Sequence, residues 1–516
     1  MKKTLFVCSC FVALLSNAQT INETANKFAA LITEKGLKEK LTVIASAEME
    51  GRETASPGQK KAAAYIEAYF KKLGLKPGNG DSYQQYYPVF QDEITSKSLN
   101  VNGKSYEWDK DYAFALNAAS TGEGNYDKIV FAGYGIVDEA NKINDYANLD
   151  VTGKVVVVLE GAANEKAPAP SGGRGGFNAV SSSFFKINTA RNKGAAALFI
   201  VSKDFPKKNP TATQGNMYLK RNTGNSFVAG TVSEEIASAL LGRTSTIAFN
   251  KLNEITAGIY NVQLKWSIAK NTNELQSSNV LAVLPGTEKT DEYVFLTGHY
   301  DHLGKRDTVI YYGADDDGSG TTAVLQMAEA FSAAAKKGFK PKRNIVFMTV
   351  SGEEKGLWGS QYYSENPIYP LDKTSVDLNT DMIGRIDTER DKADTLSYLY
   401  VIGHDKLSSE LAIINEGVNN NFTHLTLDYK FDDPKDVNRI YYRSDHYNFA
   451  RKGVPVLFFY DGMLKADYHK PTDTVDKISF GLMAKRTQLI FLTGWEIANK
   501  NGMLKRDMPL NMPATR

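Results

Sequence analysis

From Asn279 onwards, short apolar runs recur between helical stretches: Val280 to Leu284, Tyr293 to Thr297, Ile345 to Val350, Val376 to Leu378 and Val454 to Phe459. Such alternation predicts an α/β fold, a doubly wound and mostly parallel sheet with helices on both faces. In that architecture ligands bind outside the carboxyl ends of the strands. Earlier in the chain, Ser56-Pro57-Gly58-Gln59 supplies a capping serine, a first-turn proline and a glutamine at the third helical position. These residues predict a helix that stops at Gly74 and buries Ile66, Tyr69, Phe70 and Leu73.

The pattern changes between about Val101 and Leu264. Short β-type runs, Lys128 to Phe131 and Val155 to Leu159 among them, are separated by glycine-rich and polar turns, which predicts a separate β-rich module. Within it, Phe185 to Arg191 is expected to form a helix leading through Gly194 into the apolar run Ala195 to Val201, and Val232 to Leu241 another helix. The stretch between Ala162 and Ser183, rich in Gly, Ala, Pro and Ser, reads as a mobile loop. There is no evident internal repeat and no long low-complexity tract.

With 516 residues, 42% of them hydrophobic, the chain exceeds the size at which one core stops growing, so two domains are expected. Lys plus Arg is 61 against 59 for Asp plus Glu, which offers no global field for nucleic acid or an anionic membrane surface. Met1-Lys2-Lys3, an apolar run from Leu5 to Leu15 and then Ser16-Asn17-Ala18 read as a signal peptide, residues 1–18, cleaved after Ala18. Export to the periplasm or the medium is therefore expected, without membrane insertion, because no later stretch approaches the roughly 20 apolar residues of a spanning helix. Cys8 and Cys10 both lie in that leader, leaving the mature chain without a thiol. A lipid anchor on Cys10 is the rival reading, disfavoured by the short apolar region it would leave.

The candidate chemistry lies in the polar residues after the strands. His299-Tyr300-Asp301 follows one run, Ser351-Gly352-Glu353-Glu354 another and Asn379-Thr380-Asp381 a third. Asp315-Asp316-Asp317 precedes Gly318-Ser319-Gly320, which opens a helix through Ala323, Leu325 and Phe331, and Asp467-Tyr468-His469 follows the last strand. A single carboxylate after a strand is ordinarily a helix cap or a turn former. Five such segments on one rim are not explained that way. Of only 6 histidines, four (His299, His302, His446 and His469) fall in these acidic segments, and mixed imidazole and carboxylate ligands suit zinc.

Motif by motif, these segments resemble the co-catalytic zinc exopeptidase family, which includes bacterial leucine-type aminopeptidases, glutamate carboxypeptidase and the transferrin receptor. The resemblance assigns residues 25–98 and 270–516 to a discontinuous peptidase domain with the zinc exopeptidase fold, and 99–265 to an inserted protease-associated domain. It implies two zinc ions per chain: Asp316 bridging, His299 and Asp381 completing one site, Glu354 and His469 the other. A cis peptide between Asp316 and Asp317 is implied as well. Three carboxylates against the four positive charges of two zinc ions leave one positive charge, which a bridging hydroxide cancels. The same resemblance makes Glu353 the general base, Asp301 the partner of the second His299 ring nitrogen, and Tyr441 or Tyr442 a stabiliser of the tetrahedral oxyanion. His302 and His446 receive no metal and are expected to be supporting or structural residues.

The expected activity is removal of amino-terminal, apolar residues from peptides. Relatives that cut acidic carboxyl-terminal residues carry arginines where this chain has Val456-Leu457-Phe458-Phe459, although Arg439 and Arg443 lie nearby. A zinc carboxypeptidase or dipeptidase and a non-catalytic receptor-like protein are the alternatives. A single-zinc glutaminyl cyclase is disfavoured by the filled ligand set. For the inserted module, a lid or spacer and a part in substrate selection are both open, as is the oligomeric state.

Overall fold

The computed structural model describes residues 23–116, 121–163, 180–220, 227–391 and 396–513. The signal segment with Cys8 and Cys10, and most of the glycine-rich stretch between Ala162 and Ser183, lie outside the described residues. The chain divides into two compact units, one built from residues up to Tyr87 together with Gln276–Arg516, the other from Pro88–Leu275.

In the larger unit the elements used below are, in chain order, α1 (Glu34–Ile44), α2 (Pro57–Leu73), β1 (Gly258–Leu284, from Gln276 onwards), β2 (Lys289–His299), α3 (Gly318–Lys336), β3 (Arg343–Val350), α4 (Trp358–Glu365), β4 (Thr374–Thr380), β5 (Tyr398–Ile402), α5 (Glu410–Val418), β6 (Thr426–Asp428), α6 (His446–Ala450), β7 (Val456–Tyr460) and α7 (Phe480–Asn499). The sheet order is β6-β5-β7-β4-β2-β3-β1. β2 runs parallel to β3 and to β4, and β4 parallel to β7, so four strands end on the same edge. β1 is antiparallel to β3, and β5 to β7.

Why the central strands carry apolar residues on both faces is visible in their packing. Val294 and Leu296 enter one core with Ile345, Phe347, Val376 and Leu378. Phe295, between them, enters a second core on the opposite face with Val346 and Met348. Side chains alternate, yet both faces of the strands' apolar stretches are covered. The first core is closed by α1, α2, α3 and α7, which pack on one another.

α2 begins and ends where its sequence predicts. The Ser56 hydroxyl accepts the Gln59 N–H at 3.2 Å, and Gly74 takes the left-handed conformation at φ 78° that closes the helix. Ile66 and Phe70 are fully buried, with Tyr69 and Leu73 half-buried against the same core. The pair β5 and β6 was not expected: Tyr398–Ile402 is a fully buried strand.

Among the described residues, the Pro88–Leu275 unit mixes strands with three helices. Strands Gly122–Phe131, Val155–Leu159, Ala197–Val201 and Val228–Val232 lie side by side and parallel, with Tyr112–Phe114 and the first half of β1 antiparallel at the two ends. Helix Ser183–Asn192 precedes strand Ala197–Val201 as expected. The second helix starts later than predicted, at Glu234 rather than Val232. Val232 ends a strand, and Ser233 caps the helix through its hydroxyl.

Candidate metal centre

His299, Asp316, Glu353, Glu354, Asp381 and His469 meet at the carboxyl edge of β2, β3 and β4, whereas Tyr441, Tyr442 and His446 do not join them. The register His299↔Val350 brings the end of β2 level with the end of β3, so the turn carrying Glu353 and Glu354 rises beside His299. Asp381 follows the last residue of β4. Asp317 ties these ends together: its carboxylate accepts the Gly320 N–H at 2.7 Å, capping α3, and also the main-chain N–H of His299 at 3.0 Å and of Met382 at 3.1 Å. This close approach requires glycine at 320, since a Cβ there would lie 2.1 Å from the Thr380 carbonyl oxygen. The Asp316–Asp317 peptide is cis, as the resemblance implied. Asp473, not singled out in the sequence, holds the loop from outside by accepting the N–H groups of Asp315 and Asp316.

Asp316 stands between two imidazoles. Its Oδ1 is 3.3 Å from His299 Nε2 and its Oδ2 is 3.1 Å from His469 Nε2. Around His299 Nε2, Asp381 Oδ1 lies at 3.6 Å and Glu353 Oε2 at 3.8 Å. Around His469 Nε2, Glu354 Oε2 lies at 3.0 Å. His302 sits against Glu354, its Nδ1 2.7 Å from Oε1, so it orients that carboxylate. His446 is away from the acids, stacked on Phe458 at 4.7 Å.

Two expectations need correction. The second ring nitrogen of His299 meets the main-chain carbonyl of Asp301 at 3.1 Å, with the carboxylate farther away at 3.6 Å. The Asp301 carboxylate instead accepts the Thr54 hydroxyl at 2.6 Å and the Glu353 N–H at 3.2 Å. Tyr441 and Tyr442 do not line the cavity. Tyr441 is buried against His446, and the Tyr442 hydroxyl donates to the Pro513 carbonyl. The cavity beside Asp316, Glu353 and Asp381 is lined by Met382, Ile440, Arg443, Phe458, Tyr460, Leu464 and Tyr468. Tyr468 stacks on His469 at 3.9 Å, and Arg443 donates to its hydroxyl at 2.9 Å. Adjacency to His469 was the sequence signal for Tyr468. Asp473 gave none.

The electrostatics show what this arrangement lacks. Burial alone would push His299 down, but Asp381 and Glu353 outweigh it and hold the imidazole well above its ordinary value. Burial opposes the rise at His469 too, yet Asp316 and Glu354 lift it to about 10. Burial raises Glu353, and Glu354 and Asp381 reinforce the rise. The imidazoles thus take up protons that stand in for missing positive charge. His299 Nε2, Asp316 Oδ2 and Glu354 Oε1 are buried, and their close neighbours do not meet them with hydrogen-bond geometry. Converging nitrogen and carboxylate oxygen donors with unmet bonding capacity fit zinc.

A doubly wound sheet with such an acid-and-imidazole rim defines the zinc exopeptidase fold. Residues 279–493 match the profile of Peptidase family M28. Among relatives, the chain is similar to a probable leucine aminopeptidase of Arthroderma otae, 28% identical over 238 residues, 45% of this chain and 61% of that protein. It is also similar to a probable zinc metalloprotease of Pyrenophora tritici-repentis, 34% identical over 143 residues, 26% of this chain and 27% of that protein. The chain thus spans less than two thirds of the length of these relatives. Its fold is that of the aminopeptidase from Aneurinibacillus sp. strain AM-1, with a TM-score of 0.54 at 20% identity, covering 95% of this chain and 100% of that one. A zinc aminopeptidase from Bacillus subtilis gives 0.51 at 18%, covering 92% and 99%.

Proposed function

We propose that the larger unit is a zinc-dependent aminopeptidase that removes apolar amino-terminal residues from peptides. The observation that carries this reading is the convergence of His299, Asp316, Glu354, Asp381 and His469 beside Glu353 at a cavity that also presents Met382, Ile440, Phe458 and Leu464. His299 and Asp381 would hold one zinc ion, Glu354 and His469 a second, with Asp316 shared between them. When bound, the metal polarises the scissile carbonyl and makes a water acidic enough to lose its proton near neutral pH.

Glu353 is the residue placed to accept that proton and deliver it to the departing amine. Its raised proton affinity, from burial and the neighbouring Glu354 and Asp381, is in the direction such a carrier needs. The Tyr468 hydroxyl accepts from Arg443 and so keeps its own proton free for an oxygen in the cavity. Met382, Ile440, Phe458 and Leu464 supply an apolar lining for the terminal side chain. A carboxypeptidase is the second reading, favoured by Arg443 at the cavity wall.

Zinc-loaded protein is expected to cleave peptides with free amino ends and to leave acetylated ones intact, with Glu353→Gln inactive on both. Cleavage of the acetylated peptides would move the assignment to a carboxypeptidase. We further propose that residues 1–18 direct export, on the leader pattern, and that Pro88–Leu275 is a protease-associated domain, on its resemblance and strand pattern. Amino-terminal sequencing of protein recovered outside the cytoplasm tests the first: a chain beginning at Met1 counts against it. Among the described residues no helix is long and apolar enough to cross a membrane.

A further inference from the structure

Arg52 is fully buried, and among the described residues its hydrogen-bond partners are main-chain carbonyls rather than carboxylates. Its guanidinium donates to four main-chain carbonyls: Nε to Tyr300 at 2.7 Å, Nη1 to Ile44 and to Tyr312, each at 2.8 Å, and Nη2 to Gly313 at 2.9 Å. Ile44 is the last residue of α1. Tyr300 follows His299, and Gly313 lies three residues before Asp316. One planar fork therefore spans the loop that follows His299, the last residue of β2, and the loop that carries Asp316. A lysine, with a single nitrogen, cannot reproduce that geometry.

The neighbours of Arg52 act on the same loop. The His302 N–H donates to the Arg52 carbonyl at 3.2 Å, and the Gly304 N–H to Gly51 at 2.9 Å. Glycine is needed at 51, where φ is 69° and a Cβ would lie 2.2 Å from the Gly304 carbonyl oxygen. Thr54 completes the contact by donating to the Asp301 carboxylate, which in turn accepts the Glu353 N–H. The segment 51–54 is thus laid along residues 300–304 from a distant part of the chain. Burying a charge with no counter-charge in contact is costly unless its bonding is complete. Here it also adds positive potential near Asp301, Asp473, Asp317 and Asp316.

We propose that Arg52 is a positioning residue for the metal centre: with Thr54 it sets the spacing of the His299 and Asp316 loops before metal arrives, and thereby raises zinc affinity. The inference rests on the zinc reading of the site. Outer partners of metal ligands typically contribute about 10- to 100-fold in metal affinity.

The test is zinc affinity, measured by competition with a chromophoric chelator on the full chain, beside thermal unfolding of the metal-free protein. Arg52→Lys is expected to bind zinc at least about tenfold more weakly. Thr54→Val, which removes one donor and no charge, is expected to lose several-fold, and Thr54→Ser to restore the parent value. Parent-like zinc affinity in folded Arg52→Lys or in Thr54→Val overturns the proposal, and a purely structural role would show as a lowered unfolding temperature with unchanged affinity. Should Arg52→Lys fail to fold, the Thr54→Val and Thr54→Ser pair decides. A parent chain that binds no zinc at all sinks the metal assignment instead, so the two failures are told apart.

Discussion

His299 and His469 face the same Asp316 carboxylate from opposite sides, but they are built differently. His299 is the last residue of a central strand, and its side chain is 1% exposed. His469 lies on a loop with φ 55°, and its side chain is 36% exposed. A third imidazole, His446, is as buried as His299 but has no carboxylate against it, and burial pushes it down to about 3. Burial is therefore not what sets the charge of these rings. Carboxylate neighbours decide it, and the strand-built and loop-built sides differ in how firmly they hold those neighbours.

Four measurements break or sharpen this contrast. Glu353 leans on the strand-built side, and Glu353→Gln is expected to lower kcat by about 10²–10⁴-fold with zinc content unchanged. A loss of zinc along with activity would make Glu353 a ligand rather than a proton carrier. His446 comes next. Its folded value lies below the ordinary 6.5, so the unfolded chain takes up a proton that the buried ring refuses. Stability should fall as pH drops from about 6.5 toward 3, and by pH 5 the penalty is about 2 kcal/mol. Urea unfolding at pH 7 and pH 5 should show that part of the fall missing in His446→Phe, while equal falls in both proteins would place the acid sensitivity elsewhere.

A smaller effect is expected at the cavity wall, where Phe458 rests on His446. Phe458→Ala should shift the preference between peptides beginning with leucine and phenylalanine by about tenfold, read as a ratio of kcat/KM. Unchanged ratios would mean that the terminal side chain binds somewhere else. Last is zinc stoichiometry. Dialysis against a weak chelator should take the parent from two ions per chain to one, the loop-built side emptying first, and His469→Ala should begin at one. Simultaneous loss of both ions would erase the distinction between the sides.

The chemistry was legible because His299, Glu353, Glu354 and Asp381 closely follow apolar runs, and the ends of parallel strands must share an edge. What misled is equally local. The resemblance paired the Asp301 carboxylate with His299, but the strand ends at His299, and beyond it the carbonyl rather than the carboxylate turns toward the ring. Tyr441 and Tyr442 sit in a 3₁₀ turn, Ile440–Tyr442, where residues three apart share a face. Ile440 and Arg443 line the cavity, and the tyrosines between them point elsewhere. Arg52 had no signal at all: its partners are main-chain carbonyls, which every sequence provides.

The discontinuity of the larger unit also has a cost in time. Leu37 and Leu41 of α1 and Ile66 and Phe70 of α2 are covered by residues of α3 and α7, and α7 ends at Asn499. A ribosome adding about 5–20 residues each second needs roughly 20–80 s to travel from the first group to the last. For that interval the newborn chain carries two amphipathic helices whose cover is incomplete, while the Pro88–Leu275 unit between has all its own strands. Early handling of this protein in the cell is thus a matter of shielding its first hundred residues until its last hundred exist.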